Sequence, residues 1–115
     1  MDQTDDLARH GGIDVTTAGG CTLVRLWGEV DVALREDASA SMARALASTD
    51  PIVVDATGVT FIDSSGLAFV LQLHLAASET GQPLTLRDPH RELVDRLALL
   101  GLDRGFVLEP TRAIA

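Results

Sequence analysis

The hydrophobic positions of this 115-residue chain change period several times. Ile13 and Val15 alternate with polar neighbours, the pattern of a half-buried strand. Ala18-Gly19-Gly20 is a turn signal, and the stretch CTLVRLWGEV after it is rich in strand formers. Together they predict a hairpin of strands 13–18 and 21–28, ended by Gly28. The period then becomes helical. Leu34, Ala38, Met42, Ala45 and Leu46 predict a helix over 33–48, which Asp50-Pro51 breaks. IVVDA, residues 52–56, is a short β-branched run of the kind found in strands buried on both faces, and Gly58 marks a turn. A largely apolar helix over 65–79 comes next, with Gly81 as its C-cap. PLTLRD, 83–88, alternates as a strand. Asp88 and Pro89 predict the N-cap and first residue of a third helix, with Leu93, Val94, Leu97 and Leu100 as its buried stripe. GFVLEP, 105–110, reads as a last short strand. Residues 1–10 and 111–115 read as flexible tails on one domain spanning 11–110.

The order β-β-α-β-α-β-α-β predicts an α/β fold with a mixed, mostly parallel sheet of about five strands. In such sheets functional sites gather where strands run into helix N-termini. VTFIDSSGLAFVLQLH, residues 59–74, contains such a junction at Asp63-Ser64-Ser65-Gly66.

Composition narrows what this junction can serve. Three Phe, one Trp and no Tyr leave little to stack on bases, and a net charge of −8 repels phosphate backbones and anionic membranes. The expectation is therefore no direct nucleic acid and no membrane, but a protein partner with a basic patch. Cys21 is the single cysteine, so neither an internal disulfide nor a cysteine pair for a metal is available. The acidic start MDQTDDLARH lacks the apolar segment of a secretory signal, and no apolar run reaches the roughly 20 residues of a membrane span. The expected compartment is the cytoplasm.

Catalysis finds little support. The G-x-S-x-G elbow is absent around Ser64, and a serine nucleophile needs a base within reach. His10 lies in the N-terminal tail, His74 two and a half helical turns beyond Ser64, and His90 at the start of another helix. There is no phosphate-binding G-x-x-x-x-G-K-[ST] loop and no Lys to serve one. Asp55 and Asp63 alone make no metal site. No enzyme activity, cofactor or metal is expected. The plainest role for the junction is a helix cap, with Ser64 or Asp63 accepting backbone amides. A cap does not need two serines, and it leaves room for a phosphorylatable switch. Phosphate adds about −1.5 to −2 charge at a helix N-terminus, next to Asp63. Two unit charges about 5 Å apart at an effective dielectric near 20 interact by roughly 3 kcal/mol, enough to change affinity a hundredfold.

Three segments carry a family resemblance: LWGEVD (26–31), VVDATGVTFIDSSGLAFVL (53–71) and ELVDRLALLGLDRGFVL (92–108). They resemble STAS domains, most closely the stand-alone bacterial anti-sigma factor antagonists, over about residues 11–109. The resemblance implies a STAS-like fold and a non-catalytic function. The unphosphorylated protein binds an anti-sigma factor that is also a serine kinase, and so releases a sigma factor. The kinase phosphorylates the first motif serine, here Ser64, and a PP2C-type phosphatase reverses it. The resemblance places Asp31, Asp63, Ser64, Ser65, Gly66 and Leu67 at the partner-binding surface, with Gly66 allowing close approach. Leu34 and Arg35 depart from the family pattern after Asp31. The second helix lacks the family's basic residues; its extra apolar surface reads as a broader buried face, or as packing in a dimer or against a different partner, and the expected state is a monomer or a weak homodimer. Two other readings are an accessory subunit of an ABC-type lipid transporter, docking on its ATPase, and a small-ligand sensor.

Overall fold

The computed structural model describes residues 10–110; the expected tails, 1–10 save for His10 and 111–115, lie outside them. Strands β1 (Gly11–Ala18) and β2 (Cys21–Val30) form the expected antiparallel hairpin. A 3-10 turn (Val32–Leu34) leads into α1 (Arg35–Ala45). Next come β3 (Ile52–Ile62), α2 (Ser64–Thr80), β4 (Leu84–Arg87), α3 (Glu92–Leu99) and β5 (Val107–Leu108). The five strands lie in sequence order, and every pairing after the hairpin is parallel. The expected element order and mixed sheet are both present.

Several boundaries differ from the sequence reading, each for a physical reason. Gly28 does not end β2. It adopts a φ of +65° inside the strand, and the register against β3 shifts between Gly28 and Glu29, so the chain bulges and continues to Val30. Gly58 does not turn the chain either. It pairs with Trp27 after a second register shift, and β3 runs on to Ile62. The third helix does not begin at Pro89. Pro89 and His90 form a turn, Arg91 adopts a left-handed φ of 57°, and helical backbone starts at Glu92. Leu100 leaves the buried stripe: it is the C-cap of α3 and points outward.

The core is built from the aliphatic residues the composition demands. Val24, Leu26, Ile52, Val54 and Leu86 from the sheet meet Val70, Leu73, Leu93 and Leu97 from α2 and α3. The alternate positions of β3 are only half-buried, Val53 and Asp55 among them, and in β1 and β2 Asp14 and Arg25 are exposed. The sheet is therefore covered on one face, not two as the run IVVDA suggested. A short β-branched run fits either case until the alternation of its neighbours is known.

Candidate functional site

β2 and β3 end side by side. Val30 pairs with Ile62, and the Asp63 amide donates to the Val30 carbonyl at 3.1 Å. Asp31 and Asp63 thus stand at adjacent ends of parallel strands. Each caps the turn directly after it. Asp31 Oδ1 accepts from the Ala33 amide at 3.0 Å. Asp63 Oδ1 accepts from the Ser65 amide at 2.9 Å and the Gly66 amide at 3.1 Å. Of the two caps the sequence left open, Asp63 is the one used. The serines are therefore spared from capping, and both are exposed. A cap needs one acceptor; here the carboxylate supplies it and two hydroxyls remain at the surface.

Gly66 and Leu67 are buried beneath this turn. A Cβ on Gly66 would stand 2.5 Å from Ile62 Cγ1 and 2.9 Å from Val30 Cγ1. The glycine thus lets α2 sit down on the ends of β2 and β3. This internal contact stands beside the expected role of Gly66 in admitting a partner and gives the glycine a reason within the fold. Its effect on the surface is indirect, since it sets the height of Ser64 and Ser65.

The two serines open onto different depressions. Ser65 and Asp31 line a cleft of about 290 Å³ between α2 and the 3-10 turn with α1, walled by Val32, Leu34, Met42 and Phe69. Ser64 and Asp63 line a shallower depression on the α3 side, with Phe61, Leu67, Arg96, Leu99 and Leu100. In that second depression Phe61 is 44%, Leu99 85% and Leu100 60% exposed, so Ser64 sits beside a large uncovered apolar surface. The Arg96 guanidinium lies 5.9 Å from the centre of the Phe61 ring. The sequence reading missed Phe61, Arg96, Leu99 and Leu100. Phe61 was legible in principle, because strict alternation with the buried Ile62 sends it away from the core.

His74 and His90 do not join the site, while His10 lines a separate depression with Glu29 and Asp31. His74 Nε2 lies 3.1 Å from the Gly105 carbonyl oxygen, and its ring stacks on Phe106 with centroids 4.1 Å apart. His90 is in the exposed turn before α3. Among the described residues no three His, Cys, Asp or Glu side chains gather to hold a metal, and no helix is long and apolar enough to cross a membrane. The arrangement offers hydroxyls, caps and apolar surface, and among the described residues no histidine lines the depression onto which Ser64 opens.

Solved structures of similar fold include several regulators. An anti-sigma factor antagonist from Mycobacterium paratuberculosis is 26% identical, with a TM-score of 0.70 over 88% of this chain and 86% of that one. The Bacillus cell fate determinant SpoIIAA in its phosphorylated form is 21% identical, with a TM-score of 0.68 over 86% of this chain and 92% of that one. An anti-sigma-factor antagonist (STAS) domain protein from Planctomyces limnophilus is 18% identical, with a TM-score of 0.72 over 88% of this chain and 92% of that one. No curated protein sequence matches the chain. The sheet order, the Asp63-capped serine turn and these likenesses agree with a match of residues 13–110 to the family model described as "Mlab, STAS domain": the chain belongs to the STAS-domain family.

Proposed function

We propose that this protein is an anti-sigma factor antagonist switched by phosphorylation of Ser64. Unphosphorylated, it binds an anti-sigma factor with serine kinase activity through the edge formed by Asp31, Asp63, Ser64, Ser65 and the apolar side chains beside them. The kinase passes the γ-phosphoryl group of ATP to Ser64 Oγ. A P–O bond to the serine forms as the bond to ADP breaks, and the hydroxyl proton is released. A phosphatase of the PP2C type hydrolyses the ester and restores binding. The observation that carries this reading is the exposure of Ser64 at a turn already capped by Asp63, next to the uncovered Phe61, Leu99 and Leu100. A phosphate there costs the fold little and obstructs a partner directly. Leu67 serves as the floor of this contact and Gly66 as its internal support. The resemblance to antagonists supports the same reading.

The test is intact mass and peptide mapping of the protein from its own host, with phosphatases inhibited during lysis. One phosphate on Ser64 is the expected result. Its absence under every growth condition favours a constitutive docking subunit, such as the accessory subunit of a lipid transporter. With a partner in hand, Ser64→Ala is expected to bind as wild type does and to resist phosphorylation. Ser64→Asp is expected to bind about a hundredfold more weakly, as a charge difference of roughly 3 kcal/mol implies. Equal affinities of Ser64→Asp and wild type would remove the charge switch.

A further inference from the structure

A phosphate on Ser64 meets an unusual difficulty. Two amides of the turn, those of Ser65 and Gly66, already donate to Asp63 Oδ1. A phosphoryl group at this position therefore confronts a carboxylate in possession of its natural donors. Among the residues lining the depression on this side, Arg96 is the only cation and Asp63 the only anion. Arg96 is loosely held. Its Nε is 3.8 Å from Glu92 Oε1, at the far limit of an ion pair, its side chain is 44% exposed, and its guanidinium rests over Phe61. An arginine fork matches phosphate oxygens better than it matches a ring face or a distant carboxylate.

We infer that Arg96 is a phosphate latch: once Ser64 is phosphorylated, its guanidinium leaves Phe61 and Glu92 and binds the phosphoryl oxygens across the depression that both residues line, while α3 stays anchored by the buried Leu93 and Leu97. This rests on the reading of Ser64 as the acceptor. The latch changes what the modification does. Charge alone repels the partner while the apolar surface stays open. With the latch, the Arg96 side chain spans the depression between α3 and α2 and lies across the apolar surface beside Phe61. The paired guanidinium and phosphate then occupy the depression that a partner would fill. A phosphate on Ser65 has no such partner, because it faces the other cleft, whose rim carries Arg35.

The test uses full-length protein carrying phosphoserine incorporated during translation at position 64, so that no kinase is needed. The second ionisation of the phosphate is followed by phosphorus NMR. The charged groups facing it are Asp63 from the turn and Arg96 from α3, with Glu92 behind Arg96. A latch holds the dianion, so Arg96→Gln is expected to raise the second pKa, ordinarily about 6, by about half a unit or more. Arg96→Lys, which keeps the charge without the fork, is expected to fall between. The same Arg96→Gln change in protein phosphorylated at Ser65 is expected to leave the titration where it was. Equal values for wild type and Arg96→Gln at Ser64 would overturn the latch, as would a shift of the same size at Ser65. Unchanged thermal unfolding of the unphosphorylated Arg96→Gln protein separates lost contact from lost fold. The outcome is independent of the function reading. A host protein without phosphate leaves this titration standing, and a failed titration leaves host phosphorylation standing.

Discussion

A single methyl group tests how the serine turn is held. Built on Gly66, it would lie 2.5 Å from Ile62 Cγ1, a methylene of a side chain that is 1% exposed. Gly66→Ala should therefore lift the first turn of α2 and cost about 1–3 kcal/mol, the range for overpacked cores. Gly is a poor helix residue, and at an uncrowded site the same change would stabilise by a few tenths to about 1 kcal/mol. The sign of the change in urea unfolding thus decides whether the contact exists. The glycine of the motif reads from sequence as an opening for a partner, because its burial against Ile62 and Val30 depends on how α2 meets two strands. No local pattern carries that information. The carboxylate beside it was legible: Asp followed by small polar residues before an apolar run is a cap signal, and Asp63 obeys it.

At the scale of elements, one device recurs. Each of the three strands β2, β3 and β4 leads into an aspartate that caps the next helical segment: Asp31, Asp63 and Asp88. The third departs from its sequence prediction. Asp88 reaches past Pro89 and His90, and its Oδ2 accepts from the Leu93 amide at 3.0 Å and the Val94 amide at 2.7 Å. The helix starts late, yet the predicted residue caps it from farther back. Asp88 is buried and its Oδ1 has no partner. Burial pushes its carboxyl above the ordinary 3.8, against the pull of the two amides. The folded state then holds this proton to higher pH than the unfolded chain does. Stability from Asp88 accordingly falls as pH rises from the unfolded value through the raised folded one, and it stays lower above that window. Asp88→Asn keeps an acceptor for the amides and should abolish this slope. Asp88→Ala should cost about 1–3 kcal/mol by leaving two buried donors unpaired. Unfolding free energies of the three proteins between pH 3 and 7 measure both effects; a wild-type slope that survives in Asp88→Asn would assign it to another group. Element order and the α2 caps were thus readable from period and punctuation. The late start of α3 was not, because it turns on the left-handed backbone of Arg91, a residue type that does not announce it.

The whole molecule separates its two kinds of surface. The uncovered face of the sheet carries a charge on each strand in register: Asp14 beside Arg25, Arg25 beside Asp55, Asp55 beside Arg87, and Glu109 just beyond β5. Arg25 lies 3.5 Å from Asp14; Arg87 lies 3.5 Å from Asp55 and 2.7 Å from Glu109. Alternating sign lets the strands keep an open face without gathering charge of one sign there, while Phe61, Leu99 and Leu100 are exposed at the serine edge. The individual charges are visible in the sequence, but the row is not, because it depends on which residues of separate strands come into register. Arg87 is its centre. Burial raises the Asp55 carboxyl, but the Thr57 hydroxyl and amide together with the Arg87 charge outweigh it and hold the group below 3.8. A depressed carboxyl contributes stability above its unfolded pKa and loses it as pH falls through the folded value. Arg87→Met keeps the apolar stem and removes the charge. At pH 7 and ordinary salt it should cost no more than about 1 kcal/mol, since both partners are reached by solvent. The difference from wild type should then shrink as pH falls below about 4, where Asp55 becomes protonated in the unfolded chain and then in the folded one. The Thr57 contribution is common to both proteins and drops out of the comparison. Paired urea titrations from pH 7 to pH 3 make the measurement. A gap that stays constant across that range would mean that Arg87 supports the sheet by its packed stem, and that the alternating row is a device of solubility rather than of stability.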